Sequence, residues 1–174
     1  MPLLPPQNTH NLVGKRDSGE RIGNELEGEP QEKRSAVRMS DKVVRQIIHT
    51  PDAPQAIGPY SQAVRIGNRL LLSGSLGIDP KTGQFPDGGI TEQTHQSLKN
   101  IGEVLKAAGV GYENVVQVQV LLADINDFAK MNDVYKEYFK SNFPARAAYQ
   151  AAALPRGGLV EIVCEAVAGE ISSL

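Results

Sequence analysis

From Lys42 onward the spacing of apolar residues switches repeatedly between a period of two and a period near 3.6, and few folds accommodate that order of switches. Val43 to His49 reads as a strand. Ala63–Ile66 and Leu70–Ser73 flank Gly67-Asn68, a pair suited to a tight hairpin with positive φ angles. Asp79-Pro80-Lys81-Thr82-Gly83 is turn chemistry, and a glycine-rich connection continues to Gly89. Thr91 is placed to cap a helix running to Ala108, with Gly109 as its stop and Leu98, Ile101, Leu105 and Ala108 as its apolar stripe. Val116, Val118, Val120 and Leu122 alternate with Gln117, Gln119 and Leu121, as a strand with one buried face does. Asn126 or Asp127 can cap a second helix through about Lys140, with Phe128, Met131, Tyr135 and Tyr138 in its stripe. Two strands, about 146–152 and 159–168, follow around a turn at Pro155-Arg156-Gly157-Gly158. The order β-ββ-α-β-α-ββ, with hairpins at both ends, predicts an α+β layer of six mixed strands carrying two helices on one face. The other face also needs cover, and copies of the same chain would supply it, so an oligomer is expected.

Residues 1–38 differ in kind. They are rich in Pro, Gly, Glu, Lys and Arg, without sustained periodicity. Such a segment buries too little apolar surface to offset its ordering entropy. The division expected is a disordered tail over 1–40 and one folded domain over 41–174. Met1-Pro2-Leu3-Leu4-Pro5-Pro6 is too short and too broken by proline for a secretory signal. Arg16, Arg21, Arg34 and Arg38 suit a mitochondrial leader, but Glu20, Glu25, Glu27, Glu29 and Glu32 do not. A single cysteine, Cys164, excludes an intrachain disulfide and fits a reducing compartment. The cytoplasm is the expected location, with the mitochondrion as the alternative. No apolar run approaches the roughly 20 residues that span a bilayer. A net charge of −2 gives general nucleic-acid binding little support. His10, His49 and His95 are far apart and no Cys/His cluster has ligand spacing, so no metal site is expected.

One charge interrupts the uncharged run Phe143 to Leu154: Arg146. The run suits a buried or half-buried strand, where a guanidinium is costly unless an anion pairs with it. A ligand carboxylate can be that anion, clamped by two parallel hydrogen bonds. An internal carboxylate can be too, for instance Glu161 on the next strand. The residue alone leaves these even.

Glu161 lies in the apolar strand Leu159-Val160-Glu161-Ile162-Val163-Cys164. Desolvation there would raise its pKa and suit it to accept a proton; an outward-facing side chain is the somewhat favoured ordinary reading. Ala56-Ile57-Gly58-Pro59-Tyr60-Ser61-Gln62-Ala63 is a rigid turn that delivers the Tyr60 hydroxyl or simply packs it. Leu72-Ser73-Gly74-Ser75 ends a strand and can bare backbone N–H groups to a ligand, or only end it. Asn132 is by default a solvent-facing helix residue, and Cys164 a small core residue rather than a nucleophile.

Together these segments say more than each does alone. Ala56 to Ala63, Ser73-Gly74, Ala123-Asp124-Ile125-Asn126-Asp127-Phe128, Asn132-Asp133-Val134-Tyr135, Phe143-Pro144-Ala145-Arg146 and Val160-Glu161-Ile162 stand in the order and spacing of the RidA/YjgF family. The chain resembles that family from about Val43 to Ala168. The resemblance implies a chorismate-mutase-like fold assembled as a homotrimer with active sites between subunits. It implies hydrolysis of reactive 2-enamine and 2-imino acids, such as 2-iminobutanoate and 2-iminopropanoate, to 2-oxo acids and ammonia, without metal or organic cofactor. By family position Arg146 matches the carboxylate-binding arginine and Glu161 the residue that activates water. Tyr60, Ser73, Gly74 and Asn132 match the polar lining, and Ala148 a backbone contact. Two departures stand out: Ser75 replaces a common Gln, and where many relatives have Glu-Ile-Glu the last strand runs Glu161-Ile162-Val163-Cys164-Glu165, so that a two-residue shift would align Glu165 instead of Glu161. Glu161 is retained because its distance from Pro155 needs no gap.

Two rival functions accompany the resemblance. Some relatives are described as endoribonucleases on single-stranded RNA or inhibitors of translation. Others with this fold have lost catalysis and act as ligand-binding or chaperone-like modules.

Overall fold

A computed structural model describes residues 42–172. The tail expected over 1–40 lies outside the described residues. The elements are β1 (Arg45–Ile48), β2 (Ala63–Ile66), β3 (Arg69–Leu76), α1 (Ile90–Ala107), β4 (Val115–Leu122), α2 (Phe128–Tyr138), β5 (Ala145–Gln150) and β6 (Val160–Val167). They form one six-stranded sheet in the order β1-β2-β3-β6-β4-β5. The element order and the mixed sheet with two helices agree with the expectation.

The C-terminal hairpin does not form. β6 inserts antiparallel between β3 and β4, while β5 pairs parallel with β4 at the edge. The reason lies in burial: Val160, Ile162, Cys164 and Ala166 are almost fully buried, which a central strand allows and an edge does not. The alternation of β6 is regular, with Glu161, Val163, Glu165 and Val167 half-buried on the opposite face. The same swap corrects the reading of the arginine-bearing run: β5 is an edge strand, largely exposed.

Both helices lie over one face. Leu98, Ile101 and Leu105 of α1 and Met131, Val134 and Tyr135 of α2 join Val118, Val120 and Leu122 of β4 in the core. Cys164 belongs to that core, and burial pushes its thiol pKa up to about 12, which rules out a resting thiolate. No described helix is long and apolar enough to cross a membrane.

Local chemistry moves several boundaries. Helix α1 is capped by Gly89 rather than Thr91: Gly89 sits at φ 71, and its carbonyl accepts from Gln93 N–H at 3.0 Å. Thr91 is then inside the first turn. The helix ends as expected at Gly109, φ 77, with the paired bonds Val110 N–H to Leu105 and Gly109 N–H to Lys106, both 3.0 Å. Asp127 stands at the N-cap of α2 without a side-chain capping bond, while Asp124 caps the preceding short turn by accepting from Asn126 N–H at 2.9 Å. In β4 a register shift between Val115 and Gln117 turns Val115 inward and leaves Val116 exposed, against the expected alternation. At the hairpin, Gly67 alone of the Gly67-Asn68 pair has positive φ, which fits a type II′ turn.

A Cβ at Gly109 would meet nothing within 4 Å, so any cost of adding one there is conformational. Gly109→Ala is expected to lower unfolding free energy by about 1 kcal/mol in urea titration.

Candidate active site

The seven side chains and backbone groups singled out above fall into two groups. Tyr60, Ser73, Gly74 and Glu161 gather at one end of the β3–β6 pair. Arg146, Asn132 and Ala148 gather where α2 overlies β5.

The first group is built by a loop and a bulge. Gln62 anchors the loop, donating to the Thr50 and Pro54 carbonyls at 3.0 and 2.9 Å and accepting from Thr50 N–H at 2.7 Å. The Tyr60 hydroxyl accepts from Ile57 N–H at 3.4 Å, and the ring is 50% exposed. The strand does not end at Ser73-Gly74. It continues to Leu76 through an extra residue between Leu72 and Ser75, which takes Ser73 and Gly74 out of the regular ladder. Ser73 donates its hydroxyl to the Ser61 carbonyl at 2.7 Å.

Glu161 lies directly over Gly74. A Cβ there would come within 2.8 Å of the Glu161 carboxyl carbon, so the glycine makes room for the carboxylate. Burial raises the pKa of Glu161 above the ordinary 4.5, and among the described residues no ion pair reaches it. Glu165 differs: it is held by Arg69 at 2.8 Å. A cavity of about 290 Å³ adjoins this group on the α1 side, lined by Tyr60, Ser73 and Gly74 with apolar Leu76, Ile101 and Val104. Ser75 also lines it, its hydroxyl donating to the Ser97 carbonyl at 3.2 Å. Neither Glu161 nor Arg146 lines this cavity.

The second group is set by helix spacing. Phe128, Asn132 and Tyr135 follow one another at i, i+4 and i+7, and so share a stripe of α2. Arg146 lies against that stripe. Its Nη2 donates to Asn132 Oδ1 at 2.8 Å, and its Cζ stands 4.4 Å from the Tyr135 ring centroid and 5.7 Å from that of Phe128. Among the described residues it has no carboxylate partner. Among the described residues Asn132 takes one of its five N–H donors, and no carboxylate takes another. The Ala151 N–H donates inward to Leu122; by alternation the N–H and C=O of Ala148 turn to the free edge of β5. Asn132 is thus no solvent-facing default. Phe128 and Tyr135, read from sequence only as packing, support the arginine; the i, i+4, i+7 spacing around Asn132 was the available signal.

Within the chain the two groups stay apart. Arg146 shares a row with Val118 and Cys164 on the helix face, whereas Glu161 shares one with Leu121 on the other face. One strand of lateral spacing on each side of β4 and three residues along it put their backbones about 14 Å apart. The salt bridge between them that the sequence allowed is absent among the described residues. Among those residues, no three His, Cys, Asp or Glu side chains gather to hold a metal ion.

Comparison with known proteins identifies the family. The family model described as Endoribonuclease L-PSP matches residues 50–168. A goat protein named 2-iminobutanoate/2-iminopropanoate deaminase is 60% identical over 131 residues, covering 75% of this chain and 96% of its own. The human protein of the same name is 55% identical over 131 residues, with the same coverage of 75% and 96%. The crystal structure of the Escherichia coli YjgF gene product superposes with a TM-score of 0.68 at 39% identity, covering 70% of this chain and 98% of that one. The chain belongs to the RidA/YjgF family.

The raised pKa of Glu161 has a stability consequence. A carboxyl whose folded pKa lies above its unfolded one contributes stability below the ordinary 4.5, and that contribution is lost as pH rises through the folded value. Glu161→Gln removes the ionisation. The variant is expected to melt at or above the wild-type temperature at pH 7, and to lack the wild-type decline on leaving acid pH; differential scanning calorimetry across pH checks both.

Proposed function

We infer that this protein is a hydrolytic deaminase that converts reactive 2-enamine and 2-imino acids, such as 2-iminobutanoate and 2-iminopropanoate, to 2-oxo acids and ammonia. The observation that carries the reading is the guanidinium of Arg146, fixed from one side by Asn132 and two rings and, among the described residues, holding no carboxylate. A planar carboxylate fits its free edge in two parallel bonds. In this reading the substrate carboxylate occupies Arg146, with the backbone of Ala148 beside it. The C2 iminium carbon is already electrophilic. A water oxygen bonds to C2 while Glu161 accepts the water proton. Glu161 returns that proton to the carbinolamine nitrogen, the C–N bond breaks, and ammonia leaves as the C2 carbonyl forms and its hydroxyl proton passes back to Glu161. Desolvation makes Glu161 a better acceptor than an exposed carboxylate. Tyr60, Ser73, Gly74 and Asn132 complete the polar lining.

A single reaction centre needs both groups within a few ångströms, and one protomer holds them on opposite faces. The proposed solution is a homotrimer in which the Arg146 group of one subunit meets the Glu161 group of the next. The half-buried face bearing Leu71, Leu121 and Val163, with Tyr149 at its edge, supports that reading, because it lacks the cover that both helices give the other face.

Arg146→Ala should lower kcat/KM for 2-iminobutanoate by about 30-fold or more, since truncating one member of a desolvated charge pair removes about 2–5 kcal/mol. The measurement is 2-oxobutanoate release in an assay coupled to threonine dehydratase; unchanged hydrolysis would sink the assignment. Subunit mixing tests the shared site. Arg146→Ala and Glu161→Gln should each be inactive alone. After denaturation and joint refolding, about a quarter of sites should regain both groups if subunits reassort at random in a symmetric ring. No recovery would place both groups in one chain's own site.

A further inference from the structure

We propose that Tyr135 is a positioning residue for Arg146, its ring serving as the platform on which the guanidinium lies; this rests on the role given to Arg146 above. The ring is 5% exposed, and its two faces are both engaged. Phe139 stacks at a centroid distance of 4.4 Å and an interplanar angle of 22°. The Arg146 Cζ stands at 4.4 Å, which leaves it the opposite face. Phe139 in turn meets Tyr112 edge-on at 5.4 Å, and Tyr112 meets Tyr138 at 5.6 Å. The guanidinium therefore terminates a column of rings that runs into the core, and the column does not yield as a lone side chain would.

The hydroxyl also senses the Arg146 cation, through charge and a weak side-chain contact that falls short of a formed hydrogen bond. It is buried, and among the described residues it makes no hydrogen bond of full geometry. An unpaired buried donor is a cost that phenylalanine would avoid. What the side chain supplies is a flat, electron-rich face against a cation. Burial pushes its pKa up to about 12, although Arg146 pulls the other way, so the hydroxyl stays neutral beside the cation. Asn132 fixes the guanidinium in its plane by one bond, and the ring fixes it perpendicular to that plane. Two constraints on different axes define the direction in which the free N–H groups point.

Fluorination separates this role from simple packing. Phenylalanine carrying none, one, two or three ring fluorines is placed at position 135, and Tyr135→Leu and Arg146→Ala are made alongside. Each fluorine drains charge from the ring face while nearly preserving its shape. KM for 2-iminobutanoate and the Kd of 2-oxobutanoate should rise stepwise with fluorine number, with kcat held within about twofold across the series. Tyr135→Leu should raise KM by about 5- to 30-fold, and Tyr135→Phe should recover most of that rise. The Arg146 Nε resonance, shifted by the ring current in the wild type, should move toward its free value in Tyr135→Leu. A flat fluorine series, with Arg146→Ala inactive, overturns the platform and leaves the assigned reaction standing. Hydrolysis that survives Arg146→Ala overturns the reading of Arg146 itself.

Discussion

The pairing of β6 on both of its edges governs the rest of the molecule. A chain that closed its last two strands into a hairpin would leave β4 without its antiparallel partner and would strand the buried row Val160, Ile162, Cys164 and Ala166 at a margin. By inserting between β3 and β4, β6 brings Glu161 beside the Ser73-Gly74 bulge, where a missing side chain gives its carboxylate room. The same insertion pushes β5 to the edge, leaving Arg146 against α2 and the backbone of Ala148 toward open space. One pairing choice thus sets the carboxylate on one face and the cation on the other.

The two groups are held by different means. The loop carrying Tyr60 depends on the side-chain amide of Gln62, which satisfies backbone groups on both sides of a turn. The arginine depends on aromatic faces and one amide oxygen, with no opposing charge among the described residues. An internal carboxylate would have compensated the charge while filling the fork. Rings compensate it in part and leave the edge free.

Much of this was legible in the sequence, and the misses share a cause. The element order, the Gly109 stop and the stripes of both helices follow from local periodicity and backbone chemistry, which neighbouring residues encode. The partner of β6 is a long-range choice, and a turn as short as Pro155-Gly158 looks the same whether the strands around it pair or part. The cap of α1 was misplaced because Thr91 has the right chemistry while Gly89 has the required backbone angles. Arg146 was recognisable as a charge out of place. Its even split between internal partner and ligand could not be resolved until its face of the sheet was known. Tyr135 looked like any core aromatic; only its place on one helix stripe with Phe128 and Asn132 marked it, and a stripe does not say what lies against it.

The 14 Å between Arg146 and Glu161 also bears on control, under the assembly proposed here. A chain that carries half of a reaction centre on each face is chemically silent by itself, however well it is folded. Catalytic output per molecule then becomes a readout of association. Diluting the protein below its dissociation constant would switch the chemistry off without altering a single side chain. Newly made chains would stay inert until their local concentration allowed them to meet.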